Sequence, residues 1–172
     1  MGLRPAYCYS DIERAYTRKS KFKNKSYVKA VPNSKIAKFV FGDNKKKFSH
    51  QLDYVSKDDV QVRHNALESC RQVVNRHLNV RLGNNYFFQI RAYPHQVLRE
   101  HKMLTGAGAD RMSPGMAHAF GRPIGLAAQL KRGKVLFTVK VDEDNVETAK
   151  EALSKANPRI SGHYKIEVRK LQ

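Results

Sequence analysis

Apolar residues recur at helical spacing at Val60, Leu67, Cys70, Val74 and Leu78. They follow Ser56-Lys57-Asp58-Asp59, which has the form of a capping box, and the pattern predicts a helix over 57–78. The acids would sit at its positive end, and Arg76 and His77 would close its last turn favourably. A second stripe, Val146, Ala149, Leu153 and Ala156, predicts a helix that begins near Asp142 or Asp144 and stops at Asn157-Pro158. Both read as surface helices with one buried face. Strands are predicted over 86–93, 124–131, 134–141 and 164–170, with Arg132-Gly133 a tight turn between two of them. Nearer the start, Gly42-Asp43-Asn44 and the lysines 45–47 suit a turn between Val40-Phe41 and Phe48. No internal repeat, coiled-coil heptad or long low-complexity tract is present. The expected fold is α+β, a mixed sheet with two packed helices.

Composition adds a partner to this picture. A chain of 172 residues can bury roughly 70% of its unfolded surface, enough for one domain or one domain plus an extension. Its net charge of +18 and hydrophobic content of 41% describe a folded protein with an anionic partner, not a disordered polycation. The charge is uneven. Residues 1–50 carry 13 basic and 3 acidic side chains and half of the sixteen Tyr and Phe, while 89–134 carry 8 basic and 2 acidic. The segments 51–88 and 135–172 are nearly neutral, at 5 against 4 and 7 against 6, and read as scaffold between two binding surfaces. No apolar run approaches the ~18 residues of a membrane span, and Arg4-Pro5 stands where a signal-peptide core would begin, so a cytoplasmic protein is expected. Cys8 and Cys70 cannot make a disulfide framework or a self-contained zinc site, and are expected as reduced thiols.

Candidate chemistry concentrates in two places. In the first fifty residues Arg14, Arg18, Lys19, Lys21, Lys23, Lys25 and Lys29 are interleaved with Tyr7, Tyr9, Tyr16, Phe22 and Tyr27, cations for phosphates alternating with rings that can stack on bases or pack on a core. A solvated tail is the bland alternative, and it has little use for five rings. The chain is thus divided into a basic N-terminal arm with the first strands, 1–50, and an α+β core, 51–172, carrying a mobile loop at about 101–123. The stretch from His101 to Gly125 holds Gly106, Gly108, Gly115, Gly121 and Gly125, five of the ten glycines, and three of the four methionines. Ser113-Pro114 and Gly121 bracket a short helix over 114–120 within it. It contains neither G-x-G-x-x-G nor G-x-x-x-x-G-K-[ST], and the seven histidines show no metal-ligand spacing, so no cofactor and no metal are expected. Asp110 beside Arg111 suits a loop salt bridge better than a general acid.

Three motifs carry a resemblance. Arg4-Pro5-Ala6-Tyr7-Cys8-Tyr9, Phe88-Gln89-Ile90-Arg91-Ala92-Tyr93-Pro94-His95, and Lys102-Met103-Leu104-Thr105-Gly106-Ala107-Gly108-Ala109-Asp110-Arg111 with the downstream Gly115-Met116 and Ala119-Phe120-Gly121-Arg122-Pro123 are found here. In these and over its whole length the chain resembles the large-subunit ribosomal proteins called L-ten-e in archaea and eukaryotes and L-sixteen in bacteria. It departs from them after Met116, where Ala117 and His118 stand in place of an arginine common in members. The resemblance implies a hammerhead-type α+β fold, of archaeal type by length, docked on large-subunit rRNA near the peptidyl transferase centre, with the loop reaching toward tRNA. On that basis Arg4, Arg14, Arg18, Lys19, Lys21, Lys23, Lys25, Lys29, Arg91, Arg99 and Arg122 are the expected rRNA-binding residues. Lys102, Thr105, Gly106, Gly108, Asp110, Arg111 and Gly115 form the expected tRNA-facing loop. The partners would be large-subunit rRNA, tRNA in the assembled ribosome, neighbouring ribosomal proteins and an assembly chaperone that escorts the basic arm, with no membrane. The protein would catalyse nothing. An RNA-processing or RNA-modifying enzyme would need a carboxylate cluster or cofactor cradle that the sequence lacks. A DNA-compacting protein would favour a regular element sized for a groove over a glycine-rich loop.

Overall fold

The computed structural model describes residues 3–12, 20–26, 28–101, 106–108 and 121–171. Its strands are β1 (Val40–Gly42), β2 (His50–Ser56), β3 (Val60–Arg63), β4 (Phe87–Ile90), β5 (Gln96–Glu100), β6 (Arg122–Leu130), β7 (Val135–Val141) and β8 (Tyr164–Lys170). Helix α1 spans His64–Leu82 and helix α2 spans Val146–Ser154. A five-stranded sheet has the order β1-β4-β7-β2-β8, and a three-stranded sheet the order β3-β6-β5.

Every ladder in both sheets is antiparallel, which corrects the expected mixed sheet. The reason lies in the α2 crossover. It joins β7 to β8, which run parallel, but β2 lies between them and pairs antiparallel with each, so no parallel ladder forms.

The two sheets share one ribbon. β2 and β7 pair from His50↔Val141 to Val55↔Val135, and the same two chain segments pair again as β3 and β6 from Val60↔Leu130 to Arg63↔Ala127. Between the two stretches the ribbon turns a corner. Ser56 N–H donates to Lys134 O at 3.0 Å and Gly133 N–H to Ser56 O at 2.8 Å. Arg132 N–H donates to Asp59 Oδ1 at 2.7 Å, and His163 N–H to Asp58 Oδ2 at 2.9 Å.

This corner corrects two further expectations. Ser56, Asp58 and Asp59 fasten the bend and cap no helix. Val60 belongs to β3, and α1 begins at His64 and runs on to Leu82. The tight turn at Arg132-Gly133 exists, closed by Lys134 N–H to Lys131 O at 3.0 Å, but the strands it joins lie in different sheets and do not pair with each other.

The helical stripes are otherwise as the spacing indicates. α1 buries His64, Leu67, Cys70, Val74 and Leu78; α2 buries Ala149, Ala152 and Leu153, with Ala156 buried just beyond it. Both pack on the sheet face that carries Leu52, Tyr54, Phe88, Ile90, Phe137, Val139 and Val141. Across this face runs a row of five rings, one from each strand in spatial order. Phe41 lies 5.9 Å from Phe88, Phe88 5.6 Å from Phe137, Phe137 5.9 Å from Tyr54, and Tyr54 4.7 Å from Tyr164. Such offset pairs each add about 0.5–1.5 kcal/mol beyond their burial. The Tyr54 hydroxyl donates to Asn157 Oδ1, tying the row to the turn after α2.

The first fifty residues are anchored to the core at a few points. Ala6–Tyr9 form one helical turn whose exit runs beside β3, with Gln61 N–H donating to Ser10 O at 2.7 Å and Gln61 Nε2 to Tyr9 O at 3.0 Å. Val28 makes a small buried cluster with Val97 and Leu126, Ile36 enters the main core, and Phe48 is buried.

The thiols differ sharply. Cys70 lies inside α1's buried stripe with its Sγ 3.7 Å from Ala156 O, and burial pushes its thiol up to about 12. Cys8 is exposed. Thiol titration of the native protein at about pH 8 is expected to find one fast group, Cys8, and a second only on unfolding. A raised thiol stabilises the fold fully below the ordinary thiol range and loses that contribution as pH climbs through roughly 9 toward 12. Burial raises Tyr54 and Tyr164 as well, so the denaturation midpoint is expected to fall on the alkaline side. A second fast thiol at pH 8 would show that α1 opens locally.

Candidate nucleic-acid interface

The β5–β6 ladder builds the root of the central segment. Arg99 pairs with Pro123 and Glu100 with Arg122, after a register shift between Leu98 and Arg99. Gly121 sits against the opposite chain. A Cβ there would lie 2.7 Å from the Glu100 carbonyl and 2.8 Å from His101 N, at a φ of +95° that side chains resist, so only glycine lets the strands close this tightly. Arg4 reaches the same place through an ion pair of its Nε with Glu100 Oε1 at 3.2 Å. Val28 is buried with Val97 and Leu126, and Lys29 beside it in the chain is exposed. The structure therefore gathers Arg4, Arg99 and Arg122, cations from separate stretches of sequence, around one end of the small sheet.

Lys21, Lys23 and Lys25 form another group. Lys21 Nζ and Lys25 Nζ lie 5.2 and 5.5 Å from the centroid of the Phe22 ring, which is 54% exposed. An exposed ring flanked by ammonium groups can stack on a base while the cations meet its phosphates. Arg91 stands apart, exposed after β4, with Nη1 donating to Gln89 Oε1 at 3.4 Å. Gly106 and Gly108 are exposed. Arg14, Arg18, Lys19, Lys102, Thr105, Asp110, Arg111, Gly115 and the 114–120 helix lie outside the described residues.

One face was not anticipated from sequence. Opposite the ring row, the large sheet aligns Gln89, Thr138, Asp53 and Glu167 across four strands, with Lys140, Gln51 and Arg169 in the next row. Asp53 is buried and accepts from Thr138 Oγ1 at 2.7 Å and from Gln51 Nε2 at 2.9 Å. Glu167 is held below the usual carboxylate range by hydrogen bonds from Lys165, at 2.6 Å, and Arg169, at 3.1 Å. Lys140 lies 5.4 Å from the Phe87 ring centroid. Gln51 and Asp53 in β2, Thr138 and Lys140 in β7, and Lys165, Glu167 and Arg169 in β8 alternate with apolar residues in the sequence, but which strands align them is a property of register alone.

Two of the histidines have structural settings. His64 is buried beneath Gly125 and its Nδ1 accepts from Lys35 N–H at 3.4 Å; burial first, then Lys35 and Arg63, lower its pKa, so the ring is neutral near pH 7. His163 Nδ1 lies 2.7 Å from Asp58 Oδ2, and this hydrogen bond holds Asp58 below its ordinary range. Among the described residues no group of three or more His, Cys, Asp or Glu is arranged to hold a metal ion, and no helix is long and apolar enough to cross a membrane.

Comparison with known proteins bears directly on this surface. The profile of the family described as ribosomal protein L16p/L10e matches residues 13–167. The large ribosomal subunit protein uL16 of Methanococcus aeolicus is 45% identical over 172 residues, covering 99% of this chain and 96% of its own length. The proteins of the same name from Picrophilus torridus and Archaeoglobus fulgidus are 45% and 41% identical, each covering 99% of this chain and 94% and 95% of their own lengths. A basic, ring-bearing surface on an antiparallel α+β scaffold, together with full-length identity at this level, gives one assignment: the chain belongs to the ribosomal protein L16p/L10e family.

Proposed function

We propose that this protein is a structural constituent of the large ribosomal subunit, which binds rRNA through its basic N-terminal residues and strand-end arginines and presents its central loop to the tRNA-binding cleft close to the peptidyl transferase centre. The observation that carries this reading is the convergence of Arg4, Arg99 and Arg122 at the root of the loop. A loop rooted among cations meets RNA at its base and is free to reach a second RNA at its tip. Family membership supports the ribosomal setting. Neighbouring ribosomal proteins, and an escort for a chain of charge +18 before assembly, belong to the same reading.

The test is salt. Binding to deproteinised large-subunit rRNA should weaken steeply with ionic strength, by a log-log slope of roughly 0.7–0.9 for each phosphate neutralised. Changing Arg18, Lys19, Lys21 and Lys23 together to Ala should lower the slope by about 3. An unchanged slope would make the N-terminal residues bystanders.

A further inference from the structure

We infer that Tyr93 is a stacking platform for one unpaired base of RNA, the exposed end of a two-ring stack at the β1 edge of the large sheet. The inference rests on the rRNA-binding reading, and it adds to the phosphate contacts of that reading a contact of a different kind, with the face of a base.

Among the described residues three Tyr or Phe rings are exposed, those of Tyr7, Phe22 and Tyr93, and of these only Tyr93 is stacked on another ring. Phe39, just before β1, lies against it with the centroids 5.6 Å apart and the planes at 27°. With one face on Phe39, Tyr93 is still 62% exposed, so its other face is open. A third flat π-system laid there would continue the stack.

The platform is held by its backbone. Ile90 N–H donates to Phe39 O and Arg91 N–H to Leu136 O, both at 2.9 Å, so the chain that carries each ring is tied to the sheet. Beyond β4, buried Ala92 and Pro94 alternate with exposed Arg91, Tyr93 and His95, and His95 Nδ1 donates to Tyr93 O at 3.2 Å. A ring positioned in advance loses little freedom when a ligand settles on it. Covering Phe39 takes apolar bulk and not a ring, so the flat open face of Tyr93 is more than the fold requires.

The surroundings favour a nucleotide over an apolar protein segment. Lys38 beside Phe39, and Arg91 and His95 on either side of Tyr93, are exposed, so the ring has a cationic and polar rim in place of the wider apolar patch that a protein partner would cover. Neither 29–42 nor 88–99 contains an Asp or Glu. A nucleotide joins an aromatic face to a phosphate, which is the complement of a ring flanked by cations with no carboxylate near it in the chain. Bases inside a duplex are already stacked on both faces, so the base comes from a loop, a bulge or a strand end.

The experiment uses the full chain and deproteinised large-subunit rRNA. The sequence contains no tryptophan, so Tyr93→Trp introduces a single fluorophore that keeps a ring on Phe39, and Val80→Trp, at an exposed position in the last turn of α1, is the control. On saturation with the rRNA the Tyr93→Trp protein should lose most of its fluorescence, because a stacked base quenches an indole, and the control should lose little. Tyr93→Leu, which still covers Phe39, should weaken binding roughly tenfold with the salt slope unchanged, since a stacked base releases no counterion. Tyr93→Phe should bind as wild type does. Equal fluorescence change in the two tryptophan variants, or wild-type affinity for Tyr93→Leu, with wild type still bound, would overturn the platform and leave the rRNA reading intact. A salt slope lowered by Tyr93→Leu, or a loss of affinity in Tyr93→Phe as large as in Tyr93→Leu, would assign the contact to charge or to the hydroxyl and overturn stacking. Failure of wild type to bind the rRNA would overturn both readings.

Discussion

Large subunits carrying a protein from which residues 105–115 have been excised and replaced by a short flexible linker are expected to assemble and to fail in translation. The described root does not depend on the excised stretch. Glu100 still pairs with Arg122, Gly121 still lies against the Glu100 carbonyl, and Arg4 still holds Glu100. Loop-closure entropy changes only slowly with length, so the fold should lose little. Binding to rRNA should largely survive because most of the basic residues lie elsewhere. Arg111, the only strong cation between Lys102 and Arg122 in the sequence, is the residue proposed to meet a tRNA phosphate, with Asp110 orienting it. Arg111→Ala alone should lower the rate roughly tenfold, the scale of one charge-assisted contact. Measuring tRNA binding and peptide-bond formation separately on reconstituted subunits would locate the defect. Normal translation by fully assembled deletion subunits would make the loop a tolerated insertion.

Phe137→Ala should have the largest effect on stability. Phe137 is fully buried on the central strand of the large sheet and is the middle ring of the row, in contact with both Phe88 and Tyr54. Removing a ring of this kind costs about 3–5 kcal/mol through lost burial and the cavity left behind, and both flanking ring pairs are lost with it. Domains have only about 5–15 kcal/mol in total. Urea denaturation should therefore show the midpoint falling by a third or more, while Phe137→Leu, which keeps most of the volume, should lose much less. Comparable losses for the two variants would mean that the ring contacts, not the buried volume, carry the stabilisation there.

The elements that the sequence disclosed are those whose signal is local. The Val146, Ala149, Leu153 stripe and the stop at Asn157-Pro158 fixed α2 within a few residues, and 164–170 is β8. The misplaced start of α1 has an identifiable cause. Val60 falls seven residues before Leu67, which suits a helix, and two before Val62, which suits a strand; its pairing with Leu130 decides the matter, and a partner seventy residues away leaves no mark on a local period. S-x-x-D likewise serves a cap or a corner equally well.

The rings of the first fifty residues divide in the same way. Phe41 joins the row across the sheet, Phe39 stacks on Tyr93 at 5.6 Å, and Phe48 is buried, whereas Phe22 stays exposed between two lysines. Composition alone could not separate rings that pack from rings available to a base.

The shared ribbon also dictates a schedule for biosynthesis. β2 has no partner until β7 emerges, and its other edge waits for β8 at Lys170. At about 5–20 residues per second, Ser56 is made on the order of ten seconds before Val141. Throughout that interval the nascent chain exposes strand edges and, from its first fifty residues, more than half of its net positive charge, beside the RNA of the machine that is making it. Neither sheet can close early, because each needs residues from both sides of the 101–121 segment. Folding is therefore a late event gated by the C-terminal third, and a protein that shields the N-terminal cations during this delay would act before any native surface exists to recognise.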